Sequence, residues 1–95
     1  MRVHELKSWP KLFSAIVAGD KRHELRRNED RDFSVGDLIR LNEFDSDQDC
    51  YTGRTQLARI TYITSSEFPC ALSPGALAEG YCILSIELVT GNEVD

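Results

Sequence analysis

The chain has 95 residues, with 11 Lys or Arg against 16 Asp or Glu and a formal net charge of −5 at pH 7. This length provides one small hydrophobic core, so we expect a single domain spanning residues 1–95. No apolar run approaches the roughly 18–20 residues of a membrane-spanning helix, and the N-terminus lacks the basic-then-apolar order of a signal peptide. The sequence therefore predicts a cytoplasmic domain without a membrane partner.

The charge is unevenly distributed along the chain. Residues 1–31 hold eight basic and five acidic residues, a net of +3, whereas residues 32–95 sum to −8. Phosphate contacts need Lys and Arg, so the total charge alone argues against a nucleic-acid partner. The split predicts a local anion-binding site on a surface that otherwise repels polyanions.

The first third of the chain predicts a strand, a helix and a second strand. Residues 3–7 form the first strand, after which Ser8 is a helix cap and Pro10 suits the first helical turn. Apolar residues then recur at helical spacing at Leu12, Phe13, Ile16 and Val17. Gly19 stands where a left-handed C-terminal cap is expected, and residues 21–27 are too polar for a core strand and predict an edge strand.

Three further strands are predicted over residues 38–44, 54–64 and 81–89. Residues 28–30 predict a turn, 45–53 a polar hairpin loop, and 65–80 a loop with at most one helical turn at 76–79. Residues 90–95 predict a frayed tail. The pattern favours an all-β or α+β fold, a small barrel of five or six strands with one flanking N-terminal helix.

The densest polar signal lies at residues 19–27. A turn before the strand would bring Lys21 to the same face as Glu24 and Arg26. Arg grips phosphate with two N–H groups, Glu accepts from base amino groups or acts as a base, and a desolvated Lys acts as a base or nucleophile. The alternative is a solvated edge whose charges only pair with one another.

The spacing Gly19-x-Lys21-x-x-Glu24-x-Arg26 matches the G-x-K-x-x-E-x-R signature of the ASCH family, whose small β-barrels are similar to the PUA fold of RNA-modifying proteins. The resemblance covers roughly residues 2–88, and further matched segments resemble a short phage and bacterial branch of that family. It implies a PUA-like fold with a cleft for RNA, a nucleotide or a modified nucleoside. Lys21, Glu24, Arg26 and neighbouring Arg27 would line that cleft.

The resemblance also raises enzymatic alternatives. Some ASCH relatives are similar to amidohydrolases of N4-acetylcytidine, and Lys21 falls on the position of their catalytic Lys. Glu24 stands where those enzymes have Thr, and neither Glu67 nor Glu79 can be assigned to their further Glu. A ribonuclease that uses Lys21 and Glu24 is the other hydrolase alternative. These departures favour a binding module, for which reversing the charges of Lys21 and Arg26 is expected to abolish RNA binding without lowering the melting temperature.

Two aromatic residues are candidates for stacking against bases. Trp9 adjoins Lys7 and Ser8, which can line the same cleft, and Tyr51 is the second candidate. Trp9 is equally suited to a hydrophobic staple against Phe13.

Metal and disulfide chemistry are not predicted. Cys50, Cys70 and Cys82 lack C-x-x-C spacing and are expected to be free thiols, with Cys82 buried in a strand. Asp45-x-Asp47-x-Asp49 imitates a calcium loop but has Cys50 in place of the required Gly. His4 and His23 lack a third ligand, so we expect no metal and no cofactor.

A third class of function is a phage-type module that binds a protein partner through the acidic surface of residues 32–95. The sequence leaves open the ligand's identity and the oligomeric state.

Overall fold

The computed structural model describes residues 2–28 and 31–90. Within them the order of elements is β1 (Val3–Ser8), α1 (Pro10–Val17), β2 (His23–Arg27), β3 (Leu38–Asp45), β4 (Cys50–Ser65) and β5 (Tyr81–Leu88). The five strands form one curled half-barrel sheet in the order β1-β3-β4-β5-β2. The structure confirms the predicted mainly β fold with one N-terminal helix.

The sheet curls because its longest strand, β4, has two shifts in register against its neighbours. β1 is parallel to β3, and the other neighbours are antiparallel. The register of β4 shifts against β3 between Asn42 and Phe44 and against β5 between Ile60 and Tyr62. Such bulges bend a strand and increase its twist. The two edge strands, β1 and β2, are thereby turned toward the same region.

The core fills the concave side of the sheet. Alternate residues of β1 and β5 point inward, and α1 packs on the sheet through Phe13 and Ile16, which are almost wholly buried. Leu12 and Val17, predicted to share that apolar stripe, remain 45% and 39% exposed. The helix therefore buries a narrower face than the sequence predicts, because it covers one end of the sheet.

Four boundaries differ from the predicted ones. Ser8 ends β1 and is buried, and the residue at the helix N-cap is Trp9, which makes no capping side-chain bond. β4 begins at Cys50, so the loop predicted over residues 45–53 shrinks to a turn at 46–49, because Tyr51 packs across the strand pair on Phe44. Residues 76–79 contain a bend at 77 and the start of a turn at 79, within the predicted limit of at most one helical turn. The edge strand predicted over residues 21–27 begins only at His23.

The described residues do not cover every predicted feature. Of the turn predicted at residues 28–30, only Asn28 lies within the described residues. Of the tail predicted over residues 90–95, only Thr90 does. Among the residues that the structure describes, no helix has the length and apolar character needed to cross a membrane. Cys50, Cys70 and Cys82 are free thiols as predicted, and Cys82 is buried in β5.

Candidate functional site

The end of α1 sets the position of Lys21. Gly19 adopts φ +84°, and its N–H donates to the carbonyl of Ile16 while the N–H of Asp20 donates to that of Ala15. This pair of bonds is a Schellman motif, which needs a residue in the left-handed conformation. The Lys21 N–H also donates to the Ala15 carbonyl, at 3.0 Å. The chain therefore turns sharply, as predicted, and presents Lys21 beside β2.

Glu24 is the buried centre of the site. It points inward from β2 with 4% of its surface exposed. Lys21 Nζ donates to its Oε2 at 2.6 Å, and Arg26 donates to its Oε1 from Nη2 at 2.6 Å and from Nε at 3.0 Å. A buried carboxylate is stable only when it is paired and hydrogen-bonded. The structure therefore brings together the three predicted residues, and their formal charges sum to +1.

Arg26 also connects the two edges of the sheet. Its Nη2 donates to the backbone carbonyl of Lys7 in β1 at 2.7 Å. β1 and β2 are the first and last strands of the sheet order, so this side chain bridges the gap of the half-barrel. The site lies at this seam.

A cleft of about 650 Å³ opens over the seam. We call it the signature cleft, and its lining residues are Lys7, Ser8, Trp9, Leu12, Lys21, His23, Glu24, Leu25 and Arg26. The lining includes the residues that the sequence predicts to bind ligand except Arg27 and the stacking candidate Tyr51. Its size falls in the range of small-molecule sites.

A row of three rings runs from the signature cleft along the neighbouring surface. Phe44 is the central ring, 5.7 Å from Trp9 and 5.0 Å from Tyr51 between centroids, and is itself only 8% exposed. Trp9 and Tyr51 are 48% and 55% exposed. Lys7 Nζ lies 4.2 Å from the Phe44 centroid. Sequence reasoning identifies the two outer rings but misses Phe44, whose place in an alternating strand indicates only a structural role.

Arg27 lines a second cleft of about 460 Å³, which we call the basic cleft. Its lining residues are Glu5, Leu6, Lys7, Arg26, Arg27, Arg31, Phe33, Asn42 and Tyr51. Lys7 and Arg26 line both clefts. Five of the eight cations of residues 1–31 therefore line these two adjoining clefts, whereas Arg2, Lys11 and Arg22 line neither.

His4 has a structural position that the sequence did not reveal. It is 4% exposed, its Nε2 lies 2.9 Å from Asp37 Oδ2, and its ring contacts Phe33 at 4.7 Å. Asp37 also accepts from the backbone N–H groups of Arg2 and Ser34. Burial acts to raise the pKa of Asp37, but these hydrogen bonds, led by that of His4, outweigh it and hold the pKa below its ordinary value.

A third buried carboxylate, after Glu24 and Asp37, lies at the bulge between β3 and β4. Glu43 is 5% exposed and accepts from the Thr52 hydroxyl at 2.6 Å, and Arg54 Nη1 lies 3.7 Å from its other oxygen. Ser8 is its register partner on β1. Glu43 carried no motif in the sequence and lines neither cleft.

The remaining sequence candidates do not join the site. In residues 2–28 and 31–90, no three His, Cys, Asp or Glu side chains converge as metal ligands would. Asp45 instead accepts from the N–H groups of Asp47 and Gln48 and closes a turn. Glu67 and Glu79 are exposed in the loop between β4 and β5 and line neither cleft.

The family model described as "Domain of unknown function (DUF3850)" matches residues 3–86. The chain belongs to the DUF3850 family. The matched range runs from the start of β1 into β5 and contains every residue that lines the two clefts.

A phage protein is similar to this DUF3850 domain. It is the "Uncharacterized 12.9 kDa protein in GpA 3'region" of Escherichia phage P2, 40% identical over 63 residues. The aligned part covers 66% of this chain and 55% of the phage protein, so the chain spans little more than half the length of that relative. The predicted relation to phage proteins is confirmed.

Proposed function

We propose that this domain binds RNA or a nucleotide-like ligand in the signature cleft, on a PUA-like fold of the ASCH type. The observation that carries the proposal is the buried Glu24 carboxylate held between Lys21 and Arg26 on the floor of that cleft. Desolvated and oriented charges of this kind are costly to build and typical of binding sites. The match of Gly19, Lys21, Glu24 and Arg26 to the ASCH signature supports the same proposal.

The trio offers both donors and acceptors to a ligand. Lys21 Nζ donates to the His23 carbonyl and to Glu24, which leaves the third N–H of the ammonium for a phosphate or carbonyl oxygen. The Glu24 carboxylate has lone pairs beyond those used by the two cations, and these can accept from a base amino group. A nucleobase and its phosphate present these complementary groups.

The walls of the signature cleft suit a flat ring. Trp9 and Leu12 are 48% and 45% exposed along one side. Aromatic side chains beside cations are the usual platform for unpaired bases, and stacking contributes about 1–3 kcal/mol per base. Trp9 is therefore the predicted stacking residue, and its ring contacts Phe44 at 5.7 Å between centroids.

The hydrogen bonds favour binding over the hydrolase alternatives. A carboxylate that two cations already neutralise is a poor general base, and an amine that this carboxylate holds is a poor nucleophile. Both Glu24 oxygens accept from cations, and Lys21 donates to two acceptors. This geometry fits a site that holds a ligand by hydrogen bonds and charge without reacting with it.

The chain's single Trp provides the test, because Trp9 lies in the proposed site. Titration with a mixed-sequence single-stranded RNA octamer, nucleoside monophosphates and nucleosides should quench its fluorescence. The double variant Lys21→Met/Glu24→Gln, which removes one charge of each sign, should weaken binding at least tenfold. Lys11→Gln on the exposed side of α1 is the matched control and should bind as the wild type does. Absence of quenching by all three ligand classes contradicts the proposal.

The same preparation separates the alternative functions. Release of acetate from N4-acetylcytidine, or cleavage of labelled RNA, that disappears in Lys21→Ala would establish a hydrolase instead. Capture of a basic protein partner without any nucleic-acid binding would favour the interaction module.

A further inference from the structure

The basic cleft is a second local excess of positive charge on an acidic chain. Among the residues that the structure describes, Lys7, Arg26, Arg27 and Arg31 line it together with one carboxylate, Glu5, and Arg26 also pairs with Glu24. Glu5 accepts hydrogen bonds from Arg40 Nη1 and Asn42 Nδ2. Arg40, which does not line the cleft, therefore balances the charge of Glu5. A concave surface lined by one sign of charge concentrates counter-ions of the opposite sign. The cleft therefore fits an anion.

The basic cleft continues directly from the signature cleft. Lys7 and Arg26 belong to both linings, and the bond from Arg26 Nη2 to the Lys7 carbonyl forms the ridge between them. An anion in the basic cleft would therefore lie beside a ligand in the signature cleft. That arrangement matches a base followed by its backbone phosphate.

The exposed rings mark the two sides. Trp9 lines the signature cleft and Tyr51 the basic cleft, with Phe44 packed between them. Lys7 Nζ lies over this row, 4.2 Å from the Phe44 centroid and 5.9 Å from that of Tyr51. Sites for single-stranded nucleic acid combine positive charge along the backbone with aromatic side chains on which bases stack.

We propose that the basic cleft is a phosphate subsite and that the ligand is a single-stranded oligonucleotide of at least two nucleotides. One base occupies the signature cleft against Trp9, the following phosphate contacts Lys7, Arg27 and Arg31, and the next base stacks on Tyr51. This proposal rests on the proposed function and specifies its ligand class. Arg27 Nη2 donates to the Tyr81 hydroxyl at 2.8 Å, and this bond restricts the position of the guanidinium.

The first experiment compares ligands of increasing length by Trp9 fluorescence. The probes are the four nucleosides, the four nucleoside monophosphates, mixed single-stranded dinucleotides and a mixed octamer. Affinity should rise at least tenfold from nucleosides to dinucleotides, and inorganic phosphate should not compete at equal concentration. Equal affinity for nucleosides and dinucleotides overturns the phosphate subsite while leaving the proposed function intact.

The second experiment removes the charges of the basic cleft. Arg27→Gln/Arg31→Gln should weaken octamer binding at least tenfold and change nucleoside binding less than twofold. The magnitude of the slope of log affinity against log salt should fall by about 0.7, the contribution of one phosphate contact to a single strand. Arg31→Gln alone is the second variant, because Arg31 is exposed and its replacement tests the subsite even if loss of the Arg27 bond to Tyr81 lowers stability.

Lys11→Gln removes an exposed charge away from both clefts and should leave the slope unchanged. An unchanged slope in both arginine variants overturns the subsite. Failure of the wild type to bind any of the four probe classes overturns this proposal and the proposed function together.

Discussion

Arg26 Nη2 donates to the backbone carbonyl of Lys7 at 2.7 Å, and this bond joins the two strands at opposite ends of the sheet order. The same nitrogen donates to Glu24 at 2.6 Å. The Arg26 guanidinium therefore forms an ion pair with the buried Glu24 carboxylate and also bridges the gap of the half-barrel. The residue that the signature places in the ligand site is also part of the fold's closure.

Arg26→Lys should separate these two roles. A lysine keeps the charge beside Glu24 but lacks the planar fork that serves the carboxylate and the Lys7 carbonyl together. We expect a loss of about 1–2 kcal/mol, the contribution of a charged hydrogen bond, and a melting temperature lower by about 5–10 °C. Amide hydrogen exchange should show faster exchange in β1 near Lys7. Arg59→Lys, on an ion pair with exposed Glu87, is the control and should change neither quantity.

Lys21→Met should destabilise the protein, and Lys21→Met/Glu24→Gln should restore most of the loss. Removing one partner leaves Glu24 underpaired at 4% exposure, which we place at about 2 kcal/mol because the Lys21 side chain is 20% exposed. Urea unfolding of both single variants and the double variant measures the coupling directly. Additive losses from the two single changes would show that the pair is not coupled.

The buried position of Glu24 leads to a different expectation for reversing the two neighbouring charges. The sequence alone predicts that reversing Lys21 and Arg26 abolishes RNA binding without lowering the melting temperature. In the structure both cations neutralise a buried carboxylate, so reversal places three negative charges together and must lower the melting temperature. Loss of binding in those variants would then report unfolding, which is why the neutral double variant is the better probe.

Local rules predicted the parts of the site that lie close in sequence. The Gly19 turn follows from the need for a left-handed residue after a helix, and it places Lys21 near Glu24 three residues later. The edge position of β2 follows from its charge, and the buried face of α1 from its apolar spacing. Each of these depends on neighbours within a few residues.

Contacts that depend on the curl of the sheet were not predictable. Arg26 reaches Lys7 across 19 residues because two bulges turn the edges toward each other. Phe44 joins Trp9 to Tyr51 because β4 starts at Cys50, and no local signal distinguishes strand from loop there. Arg31 lines the basic cleft from the segment between β2 and β3, and no local signal in the sequence assigns it there.

Gly19→Ala should destabilise the domain by about 1 kcal/mol or slightly more, because Ala is strained at φ +84°. No atom lies within 4 Å of an added Cβ, so the cost comes from backbone conformation and not from a clash. Gly19→Asn should lose less, since Asn tolerates this conformation. Thermal melting gives the order Gly, Asn, Ala. Equal melting temperatures for all three would show that the Schellman turn does not require the left-handed residue.

The thiols should react in an order set by their surroundings. A hydrogen bond from the Leu72 N–H holds the pKa of exposed Cys70 below its ordinary value, whereas burial raises the pKa of Cys82. Native protein should therefore alkylate at Cys50 and Cys70 with iodoacetamide, and Cys82 only after unfolding. Peptide mapping over a pH series should place half-maximal alkylation of Cys70 at lower pH in native protein than in urea. Coincident curves would show that the Leu72 bond does not persist in solution.

Asp37 should give the protein an acid-sensitive contribution to stability. Its pKa is below the ordinary value of 3.8 in the fold, so the folded state binds fewer protons than the unfolded chain in the window beneath that value. The stabilisation is fully present above about pH 4. It is lost as the pH falls through the folded-state pKa.

Asp37→Asn should therefore cost stability at pH 7 and progressively less below pH 4. We expect about 2 kcal/mol at pH 7, because the substitution weakens the charged hydrogen bond with His4 and those from the Arg2 and Ser34 N–H groups. Urea unfolding of wild type and variant between pH 7 and pH 2.5 measures the difference. Asp47→Asn, at an exposed turn position, controls for the general effect of removing a carboxylate. A wild-type advantage that stays constant down to pH 2.5 would contradict the lowered pKa, since the protonated carboxyl of Asp37 and the amide of the variant then offer His4 similarly uncharged partners.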